Sequence, residues 1–333
     1  MIRYGIAGFG LHAVRRLMPG FVEATNSRVV ALSRRDPAKA KASAAEYNIP
    51  HAFLTTAELC RCSEVDAVFI ASPDAFHLDD VLIAAEYRKH ILCEKPLAMN
   101  TQQASQMVMA ARDAGVLFGV AHCFRFENSV HRIRERVMAG EIGDVIFARS
   151  EFSYPGAQHP RTWLTDAALA AGGPVADVGV HCIDTLRFIL GDDPLTVQAV
   201  AHYDAISGAV EAAAILNLSF VRGVLATVLV STRAHYRTPI EIIGTTGVLR
   251  AEDALNVDHP LQLQLLREGK VVDTEEIMND RTYAKQVDAF SAAIEHKAPF
   301  PTPGEEGARN QAVLDAAYRS IRAGRTESIQ YPF

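Results

Sequence analysis

Residues 2 to 13, Ile2-Arg3-Tyr4-Gly5-Ile6-Ala7-Gly8-Phe9-Gly10-Leu11-His12-Ala13, decide the architecture of the chain. The first six read as an apolar strand, and the next six keep the spacing G-x-G-x-x-A ahead of a helical run from Ala13 to about Ala24. Gly8 permits a tight turn, Gly10 lets the backbone approach a pyrophosphate, and Ala13 lets helix and strand pack closely. Amides of this turn, through Phe9, Leu11 and His12, would hold the phosphates. Glycine-rich turns also serve packing alone, so the placement after a strand and before a helix is what points to a dinucleotide.

Outward from that turn the pattern repeats. The second strand, Arg28 to Leu32, ends in Ser33-Arg34-Arg35 where an acid would favour NAD. Two guanidiniums beside a hydroxyl suit a 2′-phosphate, so NADP is the expected preference, with NAD possible. The plainer reading is a solvated basic turn before a helix capped by Asp36, with Pro37 in its first position. The strand Ala67 to Ala71 runs into Ser72-Pro73-Asp74-Ala75-Phe76-His77, whose Ser72 and Pro73 would face the cofactor. His77 either touches the nicotinamide ribose or caps the following helix, Leu78 to Tyr87, and has no catalytic role in this reading.

The next strand is His90-Ile91-Leu92-Cys93-Glu94-Lys95-Pro96, three apolar residues running straight into charge. In a parallel sheet its carboxyl end lies where open α/β folds hold ligands, which puts Glu94 and Lys95 at the cofactor. A lysine there can bond an alcohol oxygen and stabilise negative charge on it. A surface lysine at a strand end is the alternative. A helix over 101–114 and a strand over 117–121 complete a strictly alternating half, so residues 1–122 read as a doubly wound parallel sheet.

Beyond His122 the character changes. After a helix over 129–139, strands are expected at 145–154, 196–203, 213–220, 224–231, 240–244, 248–251, 261–267 and 270–275. Runs of strands without helices argue for an α+β domain, 123–333, built on a large, mostly antiparallel open sheet. Helices at 283–295 and 305–322 close it. Alternating apolar residues such as Leu225, Val228 and Val230 suggest that this sheet pairs subunits into a homodimer or homotetramer. Between its first strands lies Gly172-Gly173-Pro174-Val175-Ala176-Asp177-Val178-Gly179-Val180-His181-Cys182-Ile183-Asp184, read as an amphipathic helix. Asp177, His181 and Asp184 would share one face, with the Asp177 carboxylate orienting the His181 imidazole as a proton acceptor. An ordinary capped helix is the bland reading, and a metal on the three side chains is conceivable but unnecessary.

The chain has 333 residues, 49% of them hydrophobic, enough for two domains. A net charge of −6 offers nothing to phosphate backbones or anionic lipid, so neither nucleic acid nor a membrane is an expected partner. The apolar region 209–232 is broken by Glu211, Asn217 and Arg222 and reads as two strands. With an apolar strand beginning at Ile2 no cleavable leader is expected, and five scattered cysteines read as reduced thiols of a cytoplasmic protein.

The motifs together resemble the Gfo/Idh/MocA family of nicotinamide-dependent sugar and polyol oxidoreductases over essentially the whole length. The resemblance rests on Gly8, Gly10 and Ala13, on Glu94-Lys95-Pro96, and on the Gly-Gly…Asp177-x-x-x-His181 segment; Ser72-Pro73, Arg125-Phe126 and Gly140-Glu141-Ile142-Gly143 support it. It implies a Rossmann cofactor domain, hydride transfer at a carbinol or carbonyl carbon, Lys95 on the reacting oxygen, and His181 as acid/base with Asp177 beside it. Two departures stand out: Trp163-Leu164 where many relatives have Trp-Arg, with Arg161 the candidate replacement, and Pro174 in place of a third glycine. Substrate contacts are expected from Arg125, His159, Arg161, Trp163, Asp184 and Tyr283, of which Trp163 and Tyr283 equally suit a core. The alternatives are a non-catalytic dinucleotide-binding regulator and a hydrolase that uses the nicotinamide transiently.

Overall fold

The computed structural model describes residues 1–156 and 161–333. Strands β1 (Ile2–Ala7), β2 (Ser27–Ser33), β3 (His51–Phe53), β4 (Ala67–Ile70), β5 (His90–Cys93) and β6 (Phe118–Val120) form a wholly parallel sheet, ordered β3-β2-β1-β4-β5-β6. Strand order reverses between β1 and β4, so their carboxyl ends frame the crevice in which such sheets hold ligands. β3 escapes a sequence reading because three residues are too short to show a period.

The helices of this half are α1 (Met18–Glu23), α2 (Pro37–Glu46), α3 (Thr56–Arg61), α4 (His77–Glu86) and α5 (Thr101–Ala114). α1 is shorter than expected, because residues Ala13–Leu17 form a π-helical turn. Pro19 has no N–H to give the Arg15 carbonyl, and the widened turn just before it absorbs that loss.

The second sheet comprises β7 (Val145–Ser153), β8 (Pro194–His202), β9 (Ala213–Phe220), β10 (Leu225–Ser231), β11 (Ile240–Gly244), β12 (Val248–Ala251), β13 (Pro260–Arg267), β14 (Lys270–Met278) and β15 (Glu327–Ser328). Its order is β14-β13-β12-β11-β7-β10-β9-β8-β15, antiparallel apart from the β7–β10 pair. Helices α6 (Asn128–Met138), α7 (Val180–Leu190) and α9 (Gly304–Ala323) cover its inner face. Val228 and Val230, expected in part on the outer face, are instead buried on the inner one; Leu225 does face outward, with Phe147 paired beside it.

α8 (Thr282–His296) returns to the first sheet, where Val287, Phe290 and Ala293 join Ile2, Tyr4 and Phe69 in one core. α7 is not amphipathic. Its residues are buried on every side, Asp184 and Arg187 included, so those charges must find partners inside. Among the described residues no helix is long and apolar enough to cross a membrane.

Candidate active site

The turn after β1 is built for close approach. Gly8 has φ +77° and backs onto the Ser72 main chain, where a Cβ would come within 2.5 Å of the Ser72 nitrogen. Above Gly10 a Cβ would meet nothing nearer than the Gly8 carbonyl at 3.7 Å, so that side is open to a ligand. The cleft over the turn continues in two directions. One arm is lined by Ser33, Arg34, Arg35 and Lys39, the other by Leu11, His12, Glu94, Lys95 and Asp177. The lining suits a dinucleotide: the open side of Gly10 would take the phosphates, and the residues of the two arms would take its two ends. Phe9, expected to give its amide to the phosphates, does not: its N–H donates to the Ser33 carbonyl at 2.9 Å and its ring is buried against Tyr47.

In the basic arm the Arg34 guanidinium donates to Ser43 Oγ at 3.0 Å, and Arg35 lies over the Phe76 ring at 5.4 Å. Asp36 does cap α2, accepting from the Lys39 amide, with Pro37 first in the helix. Capping and ligand binding are therefore compatible. The sequence reading missed Lys39, which the first turn of α2 brings round to the same arm.

At the other arm, Lys95 Nζ donates to the Asp177 main-chain carbonyl at 2.8 Å and lies 3.4 Å from its carboxylate. Two segments 82 residues apart are thus pinned together. Burial opposes ionisation of Asp177, but Lys95, Arg161 and the Tyr154 hydroxyl, which donates to Oδ2 at 2.8 Å, hold the carboxyl well below the usual range. Glu94 is also buried, and His12, bonded at 2.8 Å, together with Lys95 holds it down at about 2.

His181 follows Asp177 by one turn but is not paired with it. The turn Val175–Gly179 is π-helical, which swings Asp177 off the α7 face, and its carboxylate bonds Tyr154 and Lys95. Among the described residues no hydrogen bond joins Asp177 to the imidazole. The His181 ring instead meets Phe124 edge-on at 4.7 Å between centroids and lies near-parallel to Phe152 at 6.1 Å. Burial first, then the charge of Lys95, pushes its proton affinity well below that of an ordinary histidine, so the ring is neutral near pH 7.

Several expected contacts go elsewhere. Arg125 donates to both Asp184 oxygens and to Glu306, and Asn310 donates to Asp184 and to His122. This network is buried, so Arg125 and Asp184 neutralise each other away from the cleft rather than touch a substrate. Asp184 still follows His181 by three residues on the same regular helix, but its carboxylate is committed to Arg125 and Asn310. Among the described residues no group of three or more His, Cys, Asp or Glu side chains is arranged to hold a metal ion. Burial lowers His122 to about 4, keeping it neutral.

His77 is fully buried and neither caps α4 nor reaches a ribose; its ring bonds the carbonyls of Ser72, Pro96 and Leu97, tying the Ser72 turn to the Lys95 turn. Tyr283 packs against Gly20 and lies edge-on to His12, on the domain junction. Arg161 and Trp163 do line the cleft, 6.0 Å apart, and Arg161 is 3.7 Å from Asp177. His159 lies outside the described residues.

On the far side of Asp177 is a second cavity, lined by Tyr154, Arg161, Gly172, Gly173, Thr232 and Arg233. The glycine pair is dictated by packing, since a Cβ on Gly172 or Gly173 would run into Tyr318 or the Glu211 carbonyl. The Glu211 carboxylate accepts from the amides of Gly173 and Val175 and from the Tyr318 hydroxyl, fixing the turn that carries Asp177. Pro174 opens that turn at φ −60°, where its missing N–H costs nothing. Neither Tyr154 nor Glu211 carries a local motif, so only the fold reveals them.

Residues 2–122 match the family described as oxidoreductases with an NAD-binding Rossmann fold, and residues 130–250 match the GFO/IDH/MocA C-terminal domain. A 1,5-anhydro-D-fructose reductase of Ensifer adhaerens is 31% identical over 99% of both chains. The chain belongs to the Gfo/Idh/MocA family. A D-xylose 1-dehydrogenase (NADP+) of Haloferax volcanii is 32% identical over 96% of this chain and 98% of its own. Among solved structures, an aldose-aldose oxidoreductase from Caulobacter crescentus, complexed with glycerol, superposes with a TM-score of 0.91 at 26% identity, covering 98% and 99% of the two chains.

The reassignment of Arg125 and Asp184 in this Gfo/Idh/MocA protein has a measurable consequence. Asp184→Asn leaves the buried Arg125 charge undercompensated and is expected to cost about 3 kcal/mol of stability. Thermal unfolding should show a drop in Tm of several degrees, while the KM of the folded enzyme for its substrate stays unchanged.

Proposed function

We propose that the protein transfers a hydride reversibly between NADP(H) and a carbinol or carbonyl carbon of a sugar, polyol or related small molecule. The observation that carries this reading is the Lys95 ammonium, held by Asp177 where the dinucleotide cleft opens toward the second cavity. The bound nicotinamide supplies or accepts the hydride. Lys95 donates a hydrogen bond to the reacting oxygen and stabilises it as an alkoxide. His181, neutral in its apolar setting, takes the hydroxyl proton during oxidation and returns it during reduction. Asp177 keeps Lys95 in place. The cavity beyond it, with Tyr154, Arg161 and Thr232 on its walls, offers the donors and acceptors that a polyhydroxylated substrate needs. Relatives named for anhydrofructose and xylose support the substrate class.

NADP is the preferred cofactor in this proposal, its 2′-phosphate bound by Ser33, Arg34, Arg35 and Lys39. Subunits pair through the outer face of the second sheet, where Ile243, Phe147 and Leu225 stand side by side on β11, β7 and β10 and the latter two are about half exposed. The five unpaired thiols suit a cytoplasmic setting.

With a panel of sugars and polyols, nicotinamide absorbance should identify a substrate on which Lys95→Ala and His181→Ala each lose roughly 10²–10⁴-fold in kcat. Near-normal turnover in either variant would refute the assignment. Arg35→Ala should raise KM for NADP about ten-fold or more and leave KM for NAD little changed; equal efficiency of the wild type with both cofactors would end the preference. Leu225→Glu should dissociate the oligomer in analytical ultracentrifugation, and a wild type that sediments as a monomer would contradict the pairing.

A further inference from the structure

The imidazole of His181 is held by rings where the sequence called for an acid. Three aromatic planes form a closed cluster: Phe124 meets His181 at 4.7 Å and 87°, Phe152 lies 6.1 Å away at 27°, and the two phenyl rings meet each other at 6.2 Å and 66°. They come from three separate elements. Phe124 sits in the short turn Cys123–Phe126 that follows β6, Phe152 near the end of β7, and His181 in the first turn of α7. His181 is only 7% exposed, and Phe124 4%.

We propose that Phe124 and Phe152 are positioning residues of the reaction, fixing the plane of the His181 imidazole and excluding water from it. This rests on the reading of His181 as the proton acceptor. Packed rings lock an imidazole through its faces and edge, and they leave its nitrogens uncommitted because a phenyl ring has no donor or acceptor to offer them. A carboxylate partner would do the opposite, taking one nitrogen and favouring the charged ring. The Asp177 carboxylate is spent on Lys95 and Tyr154, so the steric frame is what remains to orient the base.

The frame also sets the ring's protonation. Burial is the largest influence against charge on His181; Lys95 and His122 add to it, while Asp177 and Glu94 oppose it. Replacing a phenyl ring by a smaller side chain admits water beside the imidazole and lessens the first influence, leaving the four charged or titratable neighbours as they are. Protonation then becomes easier, and the acid limb of oxidation, which requires the neutral ring, moves to higher pH.

The test compares Phe152→Leu, Phe124→Leu, Phe152→Tyr and His181→Ala in kcat and KM for oxidation of the best polyol between about pH 5 and pH 9. The leucine variants should lose about ten-fold in kcat with KM changed less than about two-fold, because misorientation acts on the chemical step. Their acid limb should rise by about one pH unit, and Phe152→Tyr, which keeps the ring, should restore both properties. A parallel ¹⁵N titration of the imidazole, assigned by its loss in His181→Ala, reads the same shift without turnover. It needs only one folded leucine variant, and the half-buried Phe152 tolerates truncation better than Phe124. Wild-type kcat and titration in the leucine variants, with His181→Ala inactive, would overturn the frame while sparing the base; an active His181→Ala would overturn the reading beneath it.

Discussion

The contact on which the site depends is the ammonium of Lys95 against the backbone carbonyl and side chain of Asp177. It is the point where a strand end of one sheet and a helical turn under the other meet, and a buried ammonium tolerates such a place only when it is paired and bonded. The carbonyl supplies the shorter bond. The carboxylate supplies the charge, and Tyr154 occupies its other oxygen, so that the group has little freedom to turn away. What surrounds this contact is arranged to maintain it: Glu211 fixes the turn from one side, and His77 ties the Lys95 turn to the Ser72 turn from the other.

Two π-helical turns do positional work in the chain. The π turn ahead of Pro19 lets a helix start where the glycine turn needs it, although a proline follows six residues after the start. The one at Val175–Gly179 turns Asp177 toward Lys95 and leaves His181 to the regular helix behind it. A strict period of 3.6 residues would have put both side chains on one stripe and left the ammonium without its carboxylate partner.

The sequence made the first half legible because each of its decisive features is local. The G-x-G-x-x-A spacing of Gly8, Gly10 and Ala13 lies within six residues, and Lys95 follows directly from an apolar run that ends at a proline. The second half was legible as strands and as fold class, since alternation survives in short segments. Its site was less so. Asp184 and Arg125 looked like recognition groups because charge in a sequence is ordinarily exposed, whereas here a helix buried on every side obliges them to pair. Tyr154 and Glu211 act through neighbours distant in sequence, and no spacing rule reaches across such gaps; Lys39 lay within reach of the helix period, one turn on from Arg35. The same holds for the orientation of His181, which is set by surfaces of two phenyl rings from other elements.

Arg233, on the wall of the second cavity, shows how residue type can mislead there. Its Nε and one Nη bond the two oxygens of Asp204, a second proton of that Nη goes to Ser207, and the remaining Nη bonds the carbonyl and hydroxyl of Thr232. All five N–H groups of the guanidinium are consumed, and its charge is balanced by the aspartate that it grips. An incoming anion would therefore find a saturated cation that acts as masonry, contributing contour to the chamber and no electrostatic welcome. On that wall Arg233 lends shape, with no N–H left to give.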